Sequence, residues 1–174
     1  MKLHLLPLSR ENCQKVREWR NEGRESLRTP VMLTAEMQST FFDEVAWDRQ
    51  SANRYWEILN SDWHEDGDLI GQCGLTDIQW ENRLAEISLI IDPRLRGKGY
   101  GKEAVRLICE EGFRRMGLKT IFGEAYKCNS AWKFWDNITT EFRGYATTLP
   151  DRKFWNEEWY DSLYFSWDVN CTWR

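Results

Sequence analysis

The sequence predicts an α+β domain, a mixed sheet flanked by helices. Three observations carry this. Apolar residues alternate on a period of two in short segments, most clearly Leu163, Phe165 and Trp167 against Tyr164 and Ser166. Elsewhere the period is helical: Val105, Ile108, Cys109, Gly112, Phe113 and Met116 fall on one stripe. The order of segments is strand, two helices, three strands, helix, strand, helix, two strands, which puts helices on the faces of one sheet.

Each element has its own signal. Residues 2–8 read as a first strand. Residues 10–21 read as a helix, with Cys13, Val16 and Trp19 spaced by three and Ser9 as the cap. Residues 22–34 are polar and hold Gly23 and Pro30, so they form a loop, and Thr34 caps a second helix to about residue 48. Residues 54–59 are a strand, followed by a turn-rich stretch at 60–68. Residues 69–80 and 84–91 are the next two strands, joined tightly through Glu81, Asn82 and Arg83. Asp92-Pro93 ends the second of them, since proline cannot donate to the ladder. Residues 100–116 are the strongest helix, stopped by Gly117. Residues 120–126 form a strand and 130–137 a short helix. The tail is a hairpin of residues 142–155 and 158–168, turning at Asn156-Glu157.

Length and composition set bounds. A chain of 174 residues suits one domain, 1–174, with a real core. The formal charge of −4 disfavours a general nucleic-acid binder. No stretch approaches the roughly 18 apolar residues of a membrane span, and residues 1–9 lack the features of a signal peptide, so a cytoplasmic protein is expected. Five cysteines without a C-x-x-C pair, and only His4 and His64, argue against a metal site and for reduced thiols. Among 11 tryptophans, Trp155, Trp159, Trp167 and Trp173 gather near the C-terminus, where core or hairpin packing competes with a role in a ligand groove.

The stretch that carries chemistry is Asp92-Pro93-Arg94-Leu95-Arg96-Gly97-Lys98-Gly99-Tyr100-Gly101-Lys102, between a strand and the strongest helix. Glycines let backbone pass close to a ligand, and the free N–H groups and dipole of a helix start favour an anion there. A phosphate or pyrophosphate is the expected guest, and Arg96, Lys98 and Lys102 add positive charge. A dinucleotide fingerprint would need a third glycine at position 102, which is Lys102. A P-loop would need Ser or Thr after that lysine, where Glu103 stands.

What remains, Arg96-x-x-Gly99-x-Gly101, resembles the acyl-CoA signature of the GNAT superfamily of N-acetyltransferases. The opening Leu-x-Pro-Leu with Glu18-Trp19-Arg20-Asn21, the segment Ala85 to Ile91, and Tyr160-Asp161-Ser162-Leu163 resemble the branch of ribosomal-protein N-terminal and aminosugar acetyltransferases. The resemblance implies a mixed, mostly antiparallel sheet of about seven strands with about four helices, and acetyl-CoA as co-substrate. Pantetheine would pair with the backbone at Ile90 and Ile91. The pyrophosphate would rest on residues 96–102, namely Arg96, Gly97, Lys98, Gly99, Tyr100, Gly101 and Lys102. Asn129 would join this set, beside Cys128, which occupies a position where the family has Asn.

The resemblance also implies direct attack by an amine, without an acyl-enzyme. A lysine-like amine has a pKa of about 10, so a base is needed at neutral pH. Glu86 is the candidate, against the reading of an ordinary ion pair. Trp135 falls where relatives place a tyrosine acid, which leaves Tyr126 or Tyr160 for that role, or a thiolate that departs unaided. The acceptor is a protein N-terminus, an aminosugar, a polyamine or another small amine, contacted by residues 21–34 and 142–160. A homodimer fits the family, and no metal is expected. Two further readings stay open: a non-catalytic acyl-CoA binder or sensor on the same fold, and an unrelated α+β module that binds a partner through its aromatics.

Overall fold

The computed structural model describes residues 2–28, 30–61 and 67–171. Trp173, His64 and most of the turn-rich stretch at 60–68 lie outside the described residues. Strand β1 is Leu3–Pro7, helix α1 Arg10–Glu22, α2 Ala35–Phe41, β2 Arg54–Asn60, β3 Asp68–Gln79, β4 Leu84–Ile91, α3 Tyr100–Glu110, β5 Thr120–Tyr126, α4 Trp132–Glu141, β6 Tyr145–Trp155 and β7 Glu158–Asp168. The strands form one seven-stranded sheet in the order β1-β2-β3-β4-β5-β7-β6. Every neighbouring pair is antiparallel except β4 with β5. This is the expected α+β architecture.

Local chemistry explains most boundaries. Ser9 and Thr34 cap α1 and α2 by accepting from the backbone N–H of Asn12 and Met37. Helices α2 and α3 each continue into a π-turn, Phe42–Ala46 and Glu111–Arg115, so the helical segments end close to the expected residues 48 and 116. In the second π-turn, a Cβ on Gly112 would stand 2.8 Å from Ile121 and 3.0 Å from Leu75; only glycine lets this turn lie so close to the sheet.

Helices α3 and α4 cover one face of the sheet. Ala104, Val105, Ile108 and Cys109 of α3 are fully buried with Ile70, Leu75 and Ile121. Helices α1 and α2 cover the other face, where Leu8, Cys13 and Phe42 form a separate apolar cluster.

The tail departs from expectation in one respect. Helix α4 runs to Glu141 rather than to 137, and β6 begins at Tyr145 rather than at 142. The β-branched run Ile138-Thr139-Thr140 mutes the helical signal, yet Ile138, Thr139 and Phe142 are buried, which holds that turn in the helix. Of the C-terminal tryptophans, Trp167 is buried in the core while Trp159 is exposed on the hairpin.

Candidate active site

The site begins where β4 and β5 part. Strand β3 pairs with β4 from Leu84 to Ile91, whereas β5 pairs with it only at Leu84, Ala85 and Glu86. Beyond Glu86, the edge of β4 that faces β5 has no strand partner. Backbone polar groups strongly require partners, so an open edge inside a sheet is a place for a guest chain. The gap widens into a cleft of 860 Å³. Ile87 to Ile91 line one wall, Ala125 and Tyr126 the other, and Phe134 and Trp135 of α4 close it. Trp135 stacks on Phe165, with ring centroids 4.7 Å apart and planes 15° apart. Its position is set by packing.

The glycine loop lies at one end. The Asp92 carboxylate is buried and accepts from the Arg94 backbone N–H at 2.9 Å and from its guanidinium at 2.6 Å. Arg94 holds this carboxyl below its ordinary value of 3.8, and the resulting turn, Pro93–Leu95, fixes where the loop starts. Gly97 and Gly99 adopt φ of +75° and +87°, and a Cβ on either would meet nothing within 4 Å. Both therefore serve backbone conformation and face open space. Gly99 is the N-cap of α3. Gly101 differs: its Cβ would stand 3.2 Å from the Phe134 ring, so this glycine lets α3 approach α4. Gly97, Gly99, Gly101, Arg96 and Lys102 line the cleft. Arg96 Nε also donates to the Ile91 carbonyl at 3.4 Å, and Lys102 pairs with Glu141. Lys98 is exposed and Tyr100 is buried in the core; neither side chain lines the cleft. Asn129 does line it, with Oδ1 accepting from the Ala131 N–H at 2.9 Å where α4 begins.

Glu86 lies at the other end, on the face covered by α1. Its side chain is 15% exposed and its Oε1 accepts from Arg28 Nη2 at 2.7 Å. That bond raises the Arg28 guanidinium's pKa further. Arg28 is held from β6, whose buried Lys153 donates to the carbonyls of Leu27 at 2.6 Å and Arg28 at 3.4 Å. Of the two tyrosines expected at the site, Tyr126 is buried and lines the cleft. Tyr160 lies outside the lining set, and its hydroxyl donates to Glu158 at 2.8 Å, which raises its pKa. Cys128 donates its thiol to the Glu25 carbonyl, and burial raises its pKa, so it carries no thiolate character.

Sequence reasoning missed Arg20, Tyr55, Gln72 and Lys153. The first three line the cleft, and burial pushes the Tyr55 hydroxyl up to about 12. The pairing register shows why Tyr55 and Gln72 belong with Glu86. Glu57 sits opposite Gln72, which sits opposite Ile90, and Tyr55 opposite Gly74, which sits opposite Ser88; alternation then puts all of them on the face of Glu86. Strand alternation was readable in the chain, but the register between strands was not. Among the described residues no cluster of three His, Cys, Asp or Glu could hold a metal, and no helix is long and apolar enough to cross a membrane.

A sheet opened between its two parallel strands, with a glycine loop and helix start at the head of the gap, defines the class as an acetyltransferase fold. The family model for the acetyltransferase (GNAT) domain matches residues 2–133, and the chain belongs to that family. No curated protein matches the sequence. Among solved structures, the chain is similar to spermidine N-acetyltransferase from Vibrio cholerae in complex with CoA and spermine, with a TM-score of 0.82 at 19% identity over 95% of each chain. A dodecameric structure of the same Vibrio cholerae enzyme gives a TM-score of 0.80 at 18% identity, over 97% of this chain and 96% of that one. At these identities the likeness is one of fold.

Proposed function

We propose that the protein transfers the acetyl group of acetyl-CoA to a primary amine, by direct attack while both substrates are bound. One observation carries the reading: the unpartnered edge of β4 runs without interruption from the glycine loop to Glu86. The loop accepts a pyrophosphate on the N–H groups of residues 96–102, and the edge at Ile90 and Ile91 accepts an amide-bearing arm. Acetyl-CoA has both parts, and supplies an acetyl group activated as a thioester. The CoA and spermine bound to the Vibrio cholerae enzyme support a CoA ligand and an amine acceptor here.

Glu86 takes the proton that the attacking amine must lose, directly or through one water. The Arg28 guanidinium orients this carboxylate through its hydrogen bond to Oε1. The amine nitrogen gains the acetyl carbon, the C–S bond breaks, and the sulfur leaves as thiolate or takes a proton. Of Tyr126 and Tyr160, only Tyr126 lines the cleft, which supports it as the source of that proton. Self-association as a homodimer is part of the proposal and is read by light scattering.

Calorimetry with CoA, followed by thiol release from acetyl-CoA over an amine panel, tests this reading. CoA binding with amine-dependent thiol release supports it. CoA binding without release for any amine would leave a sensor on the same fold, and no CoA binding would remove the assignment.

A further inference from the structure

The cleft holds a cation that nothing in the proposed chemistry uses. Arg20, at the end of α1, lines the cleft on the face of Glu86. Among the described residues it has no carboxylate partner; the groups that face it are the Tyr55 hydroxyl and the Cys13 thiol. Its Nε is buried with no hydrogen-bond acceptor, and burial lowers its pKa. On the same wall Gln72 is 4% exposed, and its Oε1 is buried with no donor. The chain thus leaves the Arg20 cation without an ion pair in a cleft that the Asp77 carboxylate also lines. Arg20 is half-buried, and a partly desolvated guanidinium without an ion-pair partner is a candidate for completion by a ligand.

The position of Arg20 ties it to the acceptor. Tyr55 feels the charges of Arg20, Asp77 and Glu86, so the three sit around one side chain. The other cation there, Arg28, is already neutralised by Glu86. A polyamine would carry a second positive charge toward an uncompensated guanidinium. An anion would match it, because guanidinium and carboxylate geometries fit in two parallel hydrogen bonds.

We infer that Arg20 forms a subsite for a carboxylate-bearing acceptor, so that the substrate class is an amino acid or similar amine that carries its own carboxylate, not a polyamine. This deepens the acetyltransferase reading and rests on it. The carboxylate pairs with Arg20, and the amine nitrogen faces Glu86.

The test compares kcat/KM for a series of ω-amino carboxylates, from glycine to 6-aminohexanoate, with their carboxamides and with spermidine. The wild-type protein is expected to prefer the carboxylate of the best chain length over its carboxamide by about tenfold or more, since hydrogen bonds to charged groups contribute about 1.5–3 kcal/mol. In Arg20→Gln the ratio falls toward one, and Arg20→Lys lies between, with the effect in the KM of the acceptor and not in that of acetyl-CoA. Parity of acid and amide in the wild-type protein, or preference for spermidine, overturns the inference, and neither measurement depends on a variant folding. So does an Arg20→Gln variant that weakens acetyl-CoA instead of the acceptor. Calorimetry with CoA on the same wild-type preparation separates the two levels. Binding with the wrong preference, or with no turnover of any amine, removes the carboxylate subsite. Absence of binding removes the acetyltransferase reading beneath it.

Discussion

Replacing Gly99 with alanine separates backbone conformation from ligand contact. Gly99 has φ of +87°, and a Cβ there would meet no protein atom within 4 Å. A steric cost inside the protein is therefore absent, and strain is the whole effect on stability. An L-residue in the left-handed region costs about 1–2 kcal/mol. Alanine offsets part of this by restricting the unfolded chain, by about 0.4–1 kcal/mol. The net loss is about 1 kcal/mol, or roughly 2–4 °C in Tm for a chain of this length. The open space that spares the fold is the space a pyrophosphate would fill, so CoA affinity should fall far more than stability, by about tenfold or more. Gly101→Ala is the internal control. Its backbone is helical, where alanine gains about 0.8–1 kcal/mol, and the 3.2 Å contact with Phe134 offsets that gain. Its Tm should stay within a few degrees of wild type. The assay is thermal denaturation with and without CoA, then calorimetry at one temperature. Wild-type CoA affinity in a folded Gly99→Ala protein would refute the reasoning.

Other expectations follow from the same geometry. Glu86→Gln should lower kcat/KM by about 10²–10⁴-fold, and an unchanged pH–rate profile would remove Glu86 as the base. Tyr126→Phe should lower kcat if Tyr126 delivers a proton to sulfur, and an unaltered kcat means that the thiolate leaves unaided. Lys153→Met removes the bonds to the Leu27 and Arg28 carbonyls. It should raise the KM of the amine more than that of acetyl-CoA, read in two-substrate kinetics, because Arg28 loses its tether. Asp92→Asn should destabilise the fold by about 1.5–3 kcal/mol near neutral pH. The folded-state pKa of Asp92 lies below 3.8, so its stabilisation is present above that value and lost as the pH falls through the folded value. The stability difference between wild type and Asp92→Asn, measured by denaturant titration, should therefore shrink below pH 4.

The chain by itself determined the order of elements, the ends of β4 and β5, the capping of α1 and α2, and the glycine loop that heads α3. These are local properties: alternation, helical spacing, a cap hydroxyl, and glycines that have to adopt positive φ. The extent of α4 was masked because the β-branched residues Ile138 and Thr139 are buried, an influence that local propensity does not contain. Only the tertiary structure decided that β4 and β5 part after Glu86, that Tyr126 enters the cleft while Tyr160 turns to Glu158, and that Arg20, Tyr55 and Gln72 share a wall with Glu86. Each of these depends on the register between strands distant in the chain. Register is set by the summed packing of both faces of the sheet, so no single segment encodes it.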